Sequence, residues 1–205
     1  IAAGFLGPPD PIANPLPGTI WTLWWSGFTA LTIFLGNLWP ALNPWSGLHE
    51  RFRRGAEPPF KLPNGLGQWP AVILFFGFVC FELIYPIPFD PHRLAIVASA
   101  YVAMTFLGLA LFGECWLHGV ECFSVYFRLL GRLSVLQWRE HEGRLTLTAV
   151  LPGAGLSNVG PQPGGSSAFV LLTLSAVSFD GFMRTFFWAG MLGINPLEYP
   201  GRSAV

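Results

Sequence analysis

The sequence predicts an all-α fold, a polytopic bundle of transmembrane helices with one amphipathic helix in the interface. Three observations predict it. Charged residues make up only 11% of the 205 residues, against 52% hydrophobic, and the mean hydropathy is +0.51. A soluble domain carries about 25% charged residues, so this surface is not mainly a solvated charged one. Long uncharged stretches recur at the length of a bilayer core, and 19 Phe with 9 Trp supply the aromatic bias of lipid contact. The same numbers exclude disorder from low hydrophobicity. Lys and Arg total 11, as do Asp and Glu, so no basic excess exists to hold a nucleic acid. Three cysteines form neither a disulfide framework nor a zinc-finger spacing.

No charge lies between Asp10 and Glu50. Within that gap, residues 20–39 read as the first span, because twenty helical residues reach ~30 Å. Trp24 and Trp25 near its start, and Trp39 and Trp45 beyond its end, read as interfacial anchors. Pro40 and Pro44 are expected to stop it. The second span is expected over residues 69–86, with Pro70 at a helix start. The third is expected over 94–116, where Ala95, Ser99 and Ala103 form a small-residue stripe for close packing. A fourth, less regular, is expected over 167–185, with Asp180 and Arg184 near its end, spaced to pair on one face.

Between the third and fourth spans, residues 117–136 read as an amphipathic helix in the interface, with Arg128 and Arg132 snorkelling. Leu145 to Thr148 alternates, and Glu142-Gly143 would turn a short hairpin before it. Residues 151–167 read as a flexible Gly/Pro/Ser loop. The whole chain forms one membrane domain. It begins with Ile1 and no basic n-region precedes its first apolar stretch, so it reads as processed or as a fragment.

Basic residues orient the spans. Arg51, Arg53, Arg54 and Lys61 follow span one, and Arg128, Arg132, Arg139 and Arg144 follow span three. The positive-inside rule puts these regions in the cytoplasm of a cell inner membrane and the N-terminal segment outside. The bilayer, further helices of a longer protein and a small-molecule substrate are the expected partners; nucleic acid is not.

Glu82 is the leading site residue. Thirteen residues past Trp69, it lies ~20 Å into a ~30 Å core, where a carboxyl costs at least ~2.5 kcal/mol and usually faces a cavity or a partner. The topology places Asp180 and Arg184 in the same outer half, with Asp90, His92 and Arg93 in the outer loop. Glu82, Asp180 and Arg184 are therefore candidate catalytic residues. Asp90 and His92 are candidate ligands of a divalent metal. A buried structural carboxyl and a plain Asp180–Arg184 ion pair are the competing readings. Glu114, Cys115, His118, Glu121 and Cys122 recur at helical spacings and form a further, weaker metal-binding face. All four His fall outside the spans, which disfavours haem held between membrane helices. No H-E-x-x-H, G-x-S-x-G, Walker or dinucleotide loop occurs.

The runs GFLGPPDPIANPLPGTIWTLWWSGF and GNLWPALNPW, then FELIYP around Glu82, VYFRLLGRLS from Val125 and SFDGFMRT from Ser178, resemble the fenitrothion hydrolase family of multi-pass bacterial membrane proteins. The resemblance is spread over most of the chain; the 151–167 loop matches nothing. It implies an internal portion of a longer polytopic protein and a hydrolase of organophosphate esters, cleaving P–O bonds with metal-activated water. Glu82 and Asp180 lie inside the matching motifs. A membrane transporter or membrane-complex subunit using an intramembrane carboxylate is the alternative, and a pure scaffold the third.

Overall fold

A run of buried aromatic side chains, not a ring of interfacial ones, organises this chain. The computed structural model describes residues 1–45, 47, 58–63, 65–141, 144–157 and 160–193. Short helix α1, Ala2–Leu6, leads into Asn14. The Asn14 carboxamide accepts from the Leu16 amide and donates to the carbonyls of Ala3 and Pro8, which starts a helix at Pro15 and ties it to α1. The helix runs continuously through α2 (Pro15–Pro17), a π-helical segment (Gly18–Phe28) and α3 (Thr29–Leu35). It ends at Gly36, whose φ of 87° is glycine territory. The stop therefore comes earlier than the expected Pro40, and Trp39–Leu42 forms a separate helix, α4.

Helix α5, Trp69–Leu83, starts with Pro70 in its first turn, as read from the sequence. Helix α6, Pro91–Phe112, starts where the Asp90 carboxylate accepts from the Arg93 amide, and stops at Gly113 with φ 65°. Its buried face is Leu94, Ala95, Thr105, Gly108 and Leu109. The expected Ala95–Ser99–Ala103 stripe does not pack as a unit, since Ala103 is exposed. Ala95 meets Gly4 of α1, and Gly108 meets the Trp116 indole. A short α7, Cys115–Gly119, and α8, Cys122–Gly131, follow. The last long helix, α9, spans Ser166–Phe182, and α10 spans Phe186–Met191.

The architecture is mostly helical, not all-α. Strands β1 (Leu136–His141) and β2 (Arg144–Ala149) form an antiparallel hairpin, pairing Leu136 with Ala149 and His141 with Arg144. Its expected turn, Glu142-Gly143, lies outside the described residues, as do Arg51, Arg53 and Arg54 of the orientation argument. The hairpin docks on the end of α3: the Trp138 indole donates to the Leu35 carbonyl, and the Val135 amide donates to the Ile33 carbonyl. Where described, the 151–167 segment is mostly exposed but is tied to the helices at several points. The Arg132 guanidinium donates to the Gln162 side chain, and Gly164 and Gly165 pack against the start of α5.

Among the described residues one helix, α6, is long and apolar enough to cross a membrane, with 22 residues and a mean hydropathy of 2.1 over its best window. Of the four expected spans only the third, in α6, meets that test: the first is π-wound over Gly18–Phe28, α5 stops after 15 residues ahead of Pro86 and Pro88, and α9 has 17. At ~1.5 Å per residue α5 reaches ~22 Å, short of a ~30 Å core.

Helix α8 is the largest departure from expectation. Its apolar face does not lie open to the interface but is the centre of the core. Val125 and Phe127 are fully buried. Phe127 packs on Phe28 at 4.7 Å, Phe123 on Trp24 at 4.5 Å and Tyr126 on Phe75 at 5.4 Å. Trp39 and Trp45, expected at the interface, are buried in the same cluster. Aromatic faces bury 150–250 Å² each, and α8 offers them a partner surface that lipid would otherwise supply.

Candidate functional site

Two hydrogen bonds set the register that builds the site. The Gln68 amide donates to the Gly164 carbonyl at 2.7 Å, and the Ser166 hydroxyl donates to the Gln68 side-chain oxygen at 3.0 Å. These bonds hold the starts of α5 and α9 side by side, so the two helices run parallel. Phe75 and Phe169 then meet at 4.9 Å. Glu82 is 13 residues past Trp69, and Asp180 is 14 past Ser166. Equal rise brings both carboxylates to the same level.

There they line one cavity of about 120 Å³. Trp25, Phe75, Tyr126 and Thr173 complete its wall, with aliphatic side chains of α5 and α9. The sequence reading joined Glu82 to Asp180 and Arg184; the first two line this cavity. Asp180 and Arg184 form an i,i+4 ion pair at 2.9 Å, with both side chains partly open to solvent. Such an exposed pair contributes ~0.3–0.5 kcal/mol. Arg184 touches Asp180 but does not line the cavity. Glu82 is half-buried and accepts the Trp25 indole N–H at 2.6 Å.

Trp25 was legible only as an interfacial anchor, yet it holds the Glu82 carboxylate. It projects from the π-helical segment, a winding that recurs at functional sites. Tyr126 was not foreseen at all. Its ring lies 5.1 Å from that of Trp25. Burial pushes the Tyr126 hydroxyl above its ordinary pKa, and the Glu82 charge adds to the shift.

Asp90 and His92 are engaged otherwise. Asp90 caps α6, and the His92 ring packs edge-on against Phe5 at 5.4 Å. Among the described residues no group of three or more His, Cys, Asp or Glu side chains is placed to hold a metal ion. The Glu114–Cys122 face is also taken apart. The helix breaks between Gly119 and Cys122, which puts Cys115 and His118 on α7 and Cys122 on α8. Glu121, 1% exposed, turns inward as the cap of α8. It accepts from the Phe123 amide at 3.0 Å, the Ser124 amide at 2.7 Å, the Tyr101 hydroxyl and the Trp39 indole.

Burial pushes the Cys122 thiol well above its ordinary pKa, and the Glu121 charge adds to it. Cys115 is exposed. A thiol reacts as the thiolate and only where reagent reaches it, so maleimide should modify Cys115 about 100-fold faster than Cys122. Mass spectrometry of the labelled, folded protein reads this directly; equal rates would mean that α8 is not seated in the core.

A second, larger cavity of about 280 Å³ lies between the α3–α4 connection and α7–α8, lined by Asn37, Trp39, Asn43, Glu114, His118 and Arg128 among others. Comparison with family models, curated proteins and solved structures yields no match to this chain.

Proposed function

We propose that the chain is a multi-pass integral membrane protein in which Glu82 and Asp180 form an intramembrane carboxylate site, serving a transporter or a membrane-complex subunit. The observation that carries this reading is the shared cavity at the matched ends of two parallel helices. An ionisable side chain at membrane depth is costly, faces a cavity and marks ion or proton pathways.

Apolar side chains on the outside of several helices support the membrane. Ile96, Val97 and Leu107 on α6, Ile73 and Phe76 on α5, and Leu171, Leu174 and Val177 on α9 are all exposed. Only 28% of the α6 window is buried inside the protein, whereas a core helix of a soluble protein would be mostly covered. Short apolar helices such as α5 and α9 fit a bilayer when prolines and turns at their ends continue the buried path or when the bilayer thins around them. The inner membrane, with the N-terminal segment outside, remains the orientation that the basic regions favour.

Proteoliposomes with an internal pH dye test the site. Glu82→Gln, which keeps shape and removes the charge, should slow gradient-driven proton entry about a hundredfold. Equal rates in both proteins would remove Glu82 from any proton path. The resemblance to fenitrothion hydrolases carries a second reading. Glu82 would then act as general base toward water attacking a neutral phosphotriester in the same cavity. Release of the phenol leaving group by wild-type protein, lost in Glu82→Gln, would favour hydrolysis.

A further inference from the structure

We infer that the larger cavity, between the α3–α4 connection and α7–α8, binds a phosphate–ammonium zwitterion, the chemistry of an ethanolamine phospholipid headgroup. The inference rests on the membrane reading above and not on the Glu82–Asp180 site. Opposite charges on two walls are the first argument. Ser124 and Arg128 line the α8 side one turn apart, and Glu114 lines the α7 side, just ahead of that helix. Among the described residues neither charge has an ion-pair partner. The half-buried Arg128 guanidinium donates to the His118 carbonyl at 2.8 Å, and the Glu114 side chain caps no amide of α7. Burial and the neighbouring Arg132 charge push Arg128 below its ordinary pKa, against a weaker pull from Glu121. Arg132 itself donates to the Gln162 side chain. An anion beside Arg128 would relieve both costs by a charge-assisted bond. The Ser124 hydroxyl accepts the Trp39 indole N–H at 3.0 Å, so its own proton can go to the same anion.

The two walls together select the ligand. A plain anion would suit Arg128 but meet the Glu114 carboxylate, and a plain cation would do the reverse. A zwitterion places each of its charges against the opposite one. A guanidinium presents its N–H fork to phosphate oxygens. A primary ammonium has three N–H donors for a carboxylate, whereas a quaternary one has none, which favours ethanolamine over choline. Size agrees: about 280 Å³ is just below the ~300–1,000 Å³ of drug-sized sites and suits a headgroup. Depth agrees as well. Helix α6 ends at Phe112, two residues before Glu114, so when α6 crosses a bilayer the cavity lies at headgroup level. The basic regions assign that end to the cytoplasmic leaflet.

The test is native mass spectrometry of the full chain in detergent, titrated with dioctanoyl phosphatidylethanolamine, phosphatidylcholine or phosphatidylglycerol. The ethanolamine lipid should be retained at about tenfold lower concentration than the other two, since only it offers both charged donors and acceptors. Glu114→Gln alters an exposed side chain and should erase the preference over phosphatidylglycerol while the melting temperature holds. Arg128→Gln should weaken all three lipids about tenfold. Soluble O-phosphoethanolamine separates the sources: if it displaces the lipid, the free zwitterion is a ligand; if it does not, the lipid with its chains is. Equal retention of the three lipids by wild-type protein, or an undiminished preference in Glu114→Gln, overturns the inference even if Arg128→Gln does not fold. Loss of the preference in a chain that still needs detergent sinks this inference alone. Monodisperse protein in plain buffer would sink the membrane reading instead, and binding of O-phosphoethanolamine there would still support the cavity.

Discussion

Glu121→Ala should destabilise the fold by about 3–5 kcal/mol, the largest effect of any single polar substitution here. The side chain is buried and closes the N-terminus of α8 by accepting from two backbone amides. Losing an N-cap costs ~0.5–2 kcal/mol. Two further donors, the Tyr101 hydroxyl and the Trp39 indole, also converge on it. Each donor left without an acceptor in the core adds ~1–3 kcal/mol. Trp39 is partly spared, because its indole also donates to the Ser124 hydroxyl at 3.0 Å. Glu121→Gln keeps one acceptor oxygen and should cost about half as much. Denaturant titration in mixed micelles, followed by tryptophan fluorescence, reads both. A loss below ~1 kcal/mol for alanine would mean that α8 is held by its aromatic face alone.

Gly67→Ala should separate α5 from α9 and dismantle the cavity without touching a residue that lines it. The glycine sits at φ 55°, and a Cβ built there would lie 2.2 Å from the Gly164 carbonyl oxygen. Backbone cannot swing aside as a side chain does. The left-handed conformation costs ~1–2 kcal/mol for a residue with a Cβ, and the forced overlap another ~1–3 kcal/mol. Relief requires the neighbouring bond from the Gln68 amide to Gly164 to lengthen. We expect a loss of about 2–4 kcal/mol by the same titration. In a Glu82→Cys/Asp180→Cys background, a short bifunctional maleimide should crosslink with Gly67 intact and fail with alanine. Crosslinking in both would show that the register is set elsewhere, by packing such as Phe75 on Phe169.

These two substitutions mark where sequence reasoning stopped. The helices themselves were legible because their causes are local. Pro70, Asp90 with Pro91, and the long uncharged runs act within one turn or along one helix. Boundaries were less so: Pro40 and Pro44 were expected to stop the first helix, and backbone geometry ends it earlier, at Gly36 with φ 87°. The Asp180–Arg184 pair was legible for the same local reason, four residues apart on one helix. The sequence placed Glu82 and Asp180 in the same half, from two spans read as running the same way; their common level came from the structure.

What only the tertiary structure decided is what those side chains meet. Hydropathy does not distinguish an apolar face turned to lipid from one turned to protein, because both partners are equally apolar. Hence α8 was expected in the interface and is found in the core, and Trp25, expected at a headgroup, is found on Glu82. Glu121 counted as one more candidate metal ligand on a helical face until the break after Gly119 turned it inward as a cap. The sequence by itself determined the apolar, mostly helical character of the chain and the candidate carboxylates. Long-range contacts, between residues such as Gln68 and Gly164 or Trp25 and Glu82, decided that two of those carboxylates share a cavity. Such contacts leave no periodic trace in one sequence, because neither partner's spacing along the chain constrains the other.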